Sequence, residues 1–258
     1  MTTKPRIAVH KFASCDGCQL AFLNLGEALL ELSTLVDIAH FAEAGPVSPA
    51  AKVDIAFVEG SIGMPEDCER IQRVRANSRL LVTIGACATA GGLQSLRNLA
   101  DGQGWLAAVY ARPDYIAALA TTTPISAHVK VDFELWGCPV SGRQVLTALR
   151  ALLNGVTPLD DNEKVCMDCK RSQTVCTLVT KGVACLGPVT RSGCGAICPR
   201  FGRDCYACYG PAENMNAPAL RRRFTGLGLL PEAIDRRFLS FNAAAPAFVV
   251  AARKDEHD

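Results

Sequence analysis

Long apolar runs are missing from this chain. No stretch approaches the roughly 18 uninterrupted apolar residues of a membrane span, and Met1 to Phe12 lacks the apolar segment of a signal peptide. A paired-arginine export signal is missing too, so the expected location is cytoplasmic. Net charge is scarce: 27 Lys plus Arg stand against 25 Asp plus Glu, a balance of +2. Nucleic-acid binders carry a clear basic excess on the contacting face, which argues against nucleic acid as the main ligand. The short runs Arg221 to Arg223 and Arg236 with Arg237 read as solvated helix surface. Neither Gly-x-Gly-x-x-Gly nor a Gly-Lys-Ser/Thr loop occurs, which leaves a nucleotide site without support. His10, His40, His128 and His257 are scattered with no partner at metal-ligand spacing, and read as structural or surface residues.

What the chain does have is core and sulfur. Its 258 residues are 49% hydrophobic, enough for a full globular core and incompatible with a disordered or fibrous chain. Thirteen cysteines are unevenly spread: five lie in residues 1 to 165 and eight between Cys166 and Cys208. Thiols in a reducing compartment favour metal ligation over a disulfide scaffold, and an odd total leaves one cysteine over in any disulfide scheme.

The first 155 residues alternate short apolar runs with helix-like segments, the pattern of an α/β doubly wound parallel sheet with helices on both faces. Buried strands are expected at Arg6–Phe12, Val36–Phe41, Asp54–Val58, Leu80–Ile84 and Val129–Leu135. Helices are expected at Gln19–Leu32, Pro65–Ala76, Leu93–Leu99, Pro113–Ala120 and Gly142–Leu153. The apolar positions of the first helix mix faces, which implies burial around much of its circumference. After Gly155 and Pro158 the composition turns to Asp160, Asp161, Asn162 and Glu163, and a domain boundary is expected near residue 160. Residues 161 to 212 have few apolar runs, so metal binding is expected to hold them. The last 40 or so residues are expected to form short helices wrapping the outside, with Lys254 to Asp258 frayed.

Parallel sheets bind ligands at the carboxyl ends of their strands, and the motifs sit there. The first strand runs into Cys15-Asp16-Gly17-Cys18, the third into Val58-Glu59-Gly60, the fourth into Gly85-Ala86-Cys87 and the last into Gly137-Cys138-Pro139. Cys15, Cys18, Cys87 and Cys138 thus arrive from three loops at one edge of the sheet. Four converging thiolates suit tetrahedral zinc or a 4Fe-4S cluster, and spacing alone does not separate the two. Small neighbours such as Gly17, Gly85 and Gly137 let backbone amides approach cluster sulfurs. A thioredoxin-like redox pair at Cys15 and Cys18 is the rival reading, but it needs no further thiols.

The second region reads Cys166-x2-Cys169-x6-Cys176-x8-Cys185-x8-Cys194-x3-Cys198-x6-Cys205-x2-Cys208. Eight thiolates make two sets of four, and Cys198-Pro199 matches the Cys-x3-Cys-Pro end of bacterial ferredoxin runs. A zinc ribbon built from Cys166, Cys169, Cys205 and Cys208 is the alternative, and it strands the four cysteines between them. Cys68, in the Pro65–Ala76 helix, reads as an unligated small residue.

In combination these motifs resemble the small subunit of nickel-iron hydrogenases: Cys-Asp-Gly-Cys at 15 to 18, Val-Glu-Gly-Ser-Ile at 58 to 62, Gly-Ala-Cys-Ala-Thr-Ala-Gly-Gly at 85 to 92, Gly-Cys-Pro at 137 to 139 and Cys-Leu-Gly-Pro-Val-Thr at 185 to 190. The resemblance covers nearly the whole chain, although the first four motifs also look like the cluster-bearing subunit of respiratory complex I. It implies a flavodoxin-like domain over residues 1–160 and a ferredoxin-like, cysteine-rich domain over residues 161–258. It also implies three 4Fe-4S clusters: a proximal one at Cys15, Cys18, Cys87 and Cys138, a medial one at Cys194, Cys198, Cys205 and Cys208, and a distal one at Cys166, Cys169, Cys176 and Cys185. No residue of this chain is then catalytic, because the nickel-iron centre belongs to a partner large subunit.

Three positions depart from the periplasmic members of that family. Cys166 occupies the position of a distal histidine, Cys198 supplies a fourth medial thiolate, and Leu20 replaces a glutamate. Thiolate-only ligation suits low potentials within the roughly −700 to +450 mV span of such clusters. The resemblance therefore points to the cytosolic, NAD(P)-linked or sulfhydrogenase-like type, an electron relay to a flavin/NAD(P)-binding diaphorase partner with a further iron-sulfur subunit. Alternatives are a deazaflavin- or heterodisulfide-reductase-linked hydrogenase and a stand-alone iron-sulfur carrier. Glu59 matches the family's Val-Glu-Gly segment and reads equally well as a carboxylate bonding loop amides. An obligate partner is expected to leave an apolar face at the proximal edge, for which Phe12, Ala13, Leu20 and Phe22 are the candidates.

Overall fold

The computed structural model describes residues 4–159 and 163–252. Five parallel strands form one sheet in the order β2-β1-β3-β4-β5, with β1 at Arg6–Lys11, β2 at Asp37–Phe41, β3 at Val53–Glu59, β4 at Ser78–Ile84 and β5 at Phe133–Leu135. This is the flavodoxin-like strand order, whose direction of winding reverses at the β1/β3 junction. Both neighbours of β3 are paired along nearly its full length, and Ala56, Phe57 and Val58 are buried, which is why this run is continuously apolar.

The sheet is covered on both faces. On one lie α1 (Gly17–Leu23), α2 (Glu27–Leu35) and α6 (Gly142–Leu153), and there Phe22, Val145, Leu149 and Leu152 pack on Val9, Phe57, Val82 and Ile84. A capping box between Ser141 and Gln144 starts α6 where the sequence places it. On the opposite face α3 (Pro65–Ala76) sets Ile71 and Val74 against Ala8, Ala56, Val58 and Leu81.

Several expected elements change form. The helix expected over Gln19–Leu32 is two helices, because Gly26 adopts a φ of 58° between them. Nor is it buried all round: α2 buries Leu32 but leaves Leu30 and Leu35 largely exposed. The last strand begins only at Phe133, since Ile125 and Val129 are drawn from a 3-10 turn into the core of the α3 face. Leu93–Leu99 lies within a 3-10 helix, Gly92–Leu99, and the helix expected at Pro113–Ala120 reduces to a 3-10 turn at Pro113–Tyr115. Two helices went unforeseen, α4 (Gly85–Ala90) and α5 (Gly102–Val109).

Beyond residue 163 the chain forms α7 (Val165–Arg171), α8 (Thr177–Thr180) and α9 (Ile197–Arg200), followed by α10 (Ala217–Thr225), α11 (Pro231–Phe238) and α12 (Pro246–Ala252). The last three do not wrap the outside. Leu220, Phe224, Ile234, Phe238 and Phe248 make a core of their own with Leu186 and Val189, and it reaches Ala90 and Trp136 of the sheet half. Each buried phenylalanine of this core contributes about 1.5–3 kcal/mol, so the region does not depend on metal alone. The expected boundary at residue 160 and the tail from Lys254 lie outside the described residues.

Candidate iron-sulfur sites

All thirteen cysteines are free, and the sequence arranges twelve of them in three expected quartets. The first stands at the carboxyl edge of the sheet. Phe12 N donates to Glu59 O at 2.8 Å, and Ala13 pairs with Ser61 in an isolated antiparallel bridge, so the loop bearing Cys15 is stitched to the loop after β3. Asp16, at φ 65°, receives Lys11 Nζ at 2.8 Å, and the same ammonium meets Glu43 at 2.8 Å. Cys18 lies in the first turn of α1, where the helix has no cap from its own N-cap residue. The Cys18 and Gln19 amides donate instead to the Glu59 carboxylate at 3.0 and 3.3 Å. Cys87 sits on α4 rather than on a loop, its thiol donating to Gln94 Oε1 at 3.1 Å, and Ala86 N donates to Gly137 O at 2.7 Å beside Cys138.

The four thiols share one environment. Burial pushes Cys87 up to about 12, with Cys138 and Cys15 adding to the shift. Burial likewise raises Cys18, with Glu59, Cys87 and Cys138 contributing, and it raises Cys138, with Cys15 and Glu59 contributing. Neutral thiols crowded in this way lose their protons readily only to a bound cation or cluster. Glu59 is itself raised by burial, an effect opposed by the amides of Cys18 and Gln19.

The second quartet, Cys194, Cys198, Cys205 and Cys208, lines a cavity of about 330 Å³ shared with Cys138 and Tyr209. Burial raises Cys194 while the amides of Ala196 and Ile197 donate to its sulfur; Ala196 takes a left-handed φ of 53°. Burial pushes Cys208 up to about 12, and Cys194, Cys138 and Cys198 add to the shift. The third quartet is Cys166, Cys169, Cys176 and Cys185. Cys166 and Cys169 sit three apart on one face of α7, Cys176 is exposed at the start of α8, and burial pushes Cys169 up to about 11, with the other three thiols adding to it. Cys166 and Cys169 interact with Cys176 and Cys185, Cys208 faces Cys194, Cys138 and Cys198, and Cys205 stands between the two groups, bearing on both Cys185 and Cys208.

Glycines shape the space around these sulfurs. A Cβ on Gly85, whose φ is 84°, would overlap Cys18 Sγ, and one on Gly92 would come to 2.5 Å from Cys87 Sγ. At Gly187 it would lie 3.5 Å from both Cys166 Sγ and Cys185 Sγ. Soft sulfur donors in sets of four, backbone amides aimed at sulfur and side-chain-free approaches fit iron-sulfur clusters. Among the described residues no three His, Cys, Asp or Glu side chains close around a point as a single-ion site does. The quartets are open arrangements.

The quartets are joined. Cys138 lines the cavity of the second quartet, and Cys205 N donates to Cys185 Sγ at 3.2 Å, linking the second to the third.

Residues 15–152 match the family described as NADH ubiquinone oxidoreductase, 20 Kd subunit. Over 215 residues the chain is 33% identical to sulfhydrogenase 2 subunit delta of Pyrococcus furiosus, covering 83% of this chain and 90% of the other. The chain belongs to the hydrogenase small-subunit family. To a vhu subunit of the F420-non-reducing hydrogenase of Methanocaldococcus jannaschii it is 29% identical over 242 residues, covering 83% of this chain and 84% of that relative. The structure of an NAD+-reducing NiFe-hydrogenase in the H2-reduced state aligns with a TM-score of 0.56 at 31% identity, over 60% of this chain and 94% of the matched chain. As a hydrogenase small subunit the protein serves electron transfer, with catalysis on another chain.

Other expected residues stand apart from the quartets. Cys68 packs partly buried against the core of the α3 face. His10 and His40 are buried with ring centroids 4.6 Å apart, His128 Nε2 bonds Thr123 Oγ1 at 2.7 Å, and His257 lies outside the described residues. The apolar face expected at the proximal edge is differently built. Phe12 and Phe22 are core residues, Ala13 is half-buried and Leu20 is exposed; further exposed apolar side chains come from Leu93 and Leu99 on the 3-10 helix after α4 and from Trp105 and Val109 on α5. No local sequence signal marks these, because α5 buries none of its residues.

Proposed function

We propose that the chain relays electrons through three 4Fe-4S clusters between a nickel-iron large subunit and a flavin/NAD(P)-binding partner. Cys15, Cys18, Cys87 and Cys138 hold the proximal cluster, Cys194, Cys198, Cys205 and Cys208 the medial one, and Cys166, Cys169, Cys176 and Cys185 the distal one. The observation that carries this reading is that Cys138 lines the cavity of the second quartet while Cys205 N donates to Cys185 Sγ at 3.2 Å, which supports three thiol sets in series. Bound there, each cluster supplies one-electron storage at a potential tuned by ligands, hydrogen bonds and exposure.

The chain's own residues position and tune. Glu59 fixes the turn that presents Cys18, and the amides of Ala196 and Ile197 stabilise negative charge on the Cys194 sulfur. Each oxidised cluster with four thiolates adds a charge of about −2, so three outweigh the formal +2 of the sequence. No helix among the described residues is long and apolar enough to cross a membrane, and with an NAD(P)-linked partner the proposed location is cytoplasmic.

Anaerobic co-purification followed by metal analysis tests the reading. About twelve iron atoms per chain are expected, with nickel only in the larger companion and no stoichiometric zinc. H2-dependent reduction of NAD(P)+ by the complex supports the diaphorase partner. Reduction of a deazaflavin or a heterodisulfide instead assigns a different one, and zinc in the cysteine-rich half overturns the cluster assignment.

A further inference from the structure

Two arginines stand side by side near the end of α11, and only one of them is the solvated surface that the sequence suggests. Arg236 is exposed, whereas Arg237 turns inward with 31% of its side chain in solvent. Its Nη1 donates to Ala184 O at 2.7 Å and to Asp204 Oδ2 at 2.6 Å. Ala184 and Asp204 immediately precede Cys185 and Cys205. One guanidinium nitrogen therefore grips both chain segments at the place where the third and second quartets meet. There Leu186 N donates to Cys205 O at 3.0 Å and Cys205 N to Cys185 Sγ at 3.2 Å. The arginine is itself held, because Ile234 and Phe238 on α11 are buried in the core of the last three helices. Asn242 adds a second tie from the same region, its Nδ2 donating to Ala207 O at 2.8 Å between Cys205 and Cys208. Arg203 also bears on Asp204, but it is exposed and donates to Tyr206 Oη at 2.8 Å.

We propose that Arg237 is a positioning residue that holds up the reduction potentials of the second and third clusters, by neutralising Asp204 and by keeping the Cys205 N–H on Cys185 Sγ. The inference rests on the three-cluster reading above and adds a tuning residue that lies outside every cysteine motif. Two oxidised clusters bring a charge of about −4 to this junction, and each arriving electron adds one more negative charge. An unpaired Asp204 carboxylate beside Cys205 would oppose that electron, and the loss of an N–H bond to sulfur would oppose it further. The guanidinium removes the first penalty and prevents the second.

The test is a redox titration of the complete complex, purified anaerobically and followed by electron paramagnetic resonance, with iron content and urea midpoints, on wild type, R237Q, D204N and R236Q. R237Q bares the Asp204 carboxylate. Its second and third clusters are expected to be about tenfold less reduced at a fixed ambient potential, a shift of about 59 mV to lower potential for a one-electron centre. D204N leaves the guanidinium uncompensated and is expected to shift the same two clusters to higher potential. Both variants break one ion pair, so loosening of the fold would move both in one direction, whereas opposite signs identify the charge. The first cluster in every variant, and all three in R236Q, are expected to keep their wild-type potentials. Unmoved potentials in R237Q and D204N, or shifts of one sign in both, with about twelve irons in the wild type, overturn the role of Arg237 and leave the cluster reading standing. Iron of about eight or fewer in the wild type removes the cluster reading itself, and this inference with it. Should R237Q lose its clusters, D204N, which keeps an oxygen for Arg237, decides alone: a rise in potential supports the role, and an unmoved or lowered one overturns it.

Discussion

Glu59 Oε1 accepts the backbone N–H of Cys18 at 3.0 Å, from 41 residues away in sequence and from the far end of a neighbouring strand. The second carboxylate oxygen takes the Gln19 amide at 3.3 Å, so one buried side chain caps α1 in place of Asp16, whose left-handed backbone points its carboxylate to Lys11. Register between β1 and β3 sets this contact, since Lys11 lies opposite Glu59 in the ladder.

Replacing Glu59 with Ala leaves two buried amide donors without an acceptor, at a cost of about 1–3 kcal/mol each. E59A is therefore expected to lose iron first from the proximal site, falling from about twelve atoms toward about eight, and to unfold at lower urea. E59Q keeps one carbonyl oxygen for the Cys18 amide and is expected to fall between the two. Iron analysis and urea midpoints on anaerobic samples check this; equal iron in E59A and wild type removes the capping role.

Gly85 offers a sharper steric probe. Its φ of 84° is the left-handed region that Cβ-bearing residues avoid, and a Cβ there would overlap Cys18 Sγ. G85A is expected to abolish the proximal site, whereas G155A, at a comparable φ of 70° with nothing within 4 Å, is expected to bear only the backbone cost of about 1 kcal/mol. The contrast separates crowding at the sulfur from conformational strain. Iron retained in full by G85A would show that the sulfur can give way.

Cys194 and Cys68 make a matched pair for the ligand assignment. Cys194 faces the cavity of the second quartet and receives two backbone amides, whereas Cys68 packs against the core of the α3 face. C194S is expected to lose or rebuild the medial cluster, with iron falling toward about eight and its paramagnetic signal changed, while C68S keeps about twelve. A C68S protein short of four irons would reassign the quartets.

These partners were not equally legible beforehand. Strands and the cysteine-bearing strand ends could be read from apolar runs and spacing because both are local patterns, and α3 and α6 carried their own starts in Pro65 and Ser141. The split of the first helix turned on the backbone of Gly26, a choice made by tertiary placement rather than by periodicity. The core of Phe224, Phe238 and Phe248 is assembled from three helices too short to show an amphipathic pattern. Long-range pairings such as Glu59 with Cys18, or Cys205 with Cys185, have no sequence signature, since register and loop packing create them.

The last prediction concerns acid stability. His10 on β1 is buried, with the His40 ring at 4.6 Å, and Arg70 of α3 lies close enough to bear on both. Burial, then His40, then Arg70 bring the His10 pKa down to about 3, and burial and Arg70 lower that of His40 as well. The unfolded chain, with histidine near its ordinary value of about 6.5, therefore binds more protons than the folded one at mildly acid pH. Stability from this pair is fully present above about pH 6.5 and is lost as pH falls, at up to about 1.4 kcal/mol per pH unit for each buried imidazole kept neutral. H10Q removes the more strongly lowered of the two. Urea midpoints at pH 7.5, 6.5 and 5.5 are expected to fall more steeply for wild type than for H10Q, and because acid loss of iron is common to both proteins, the difference in slope isolates the imidazole. Parallel slopes would mean that His10 is protonated in the folded chain and that its burial beside His40 and Arg70 has no hold on the acid limit.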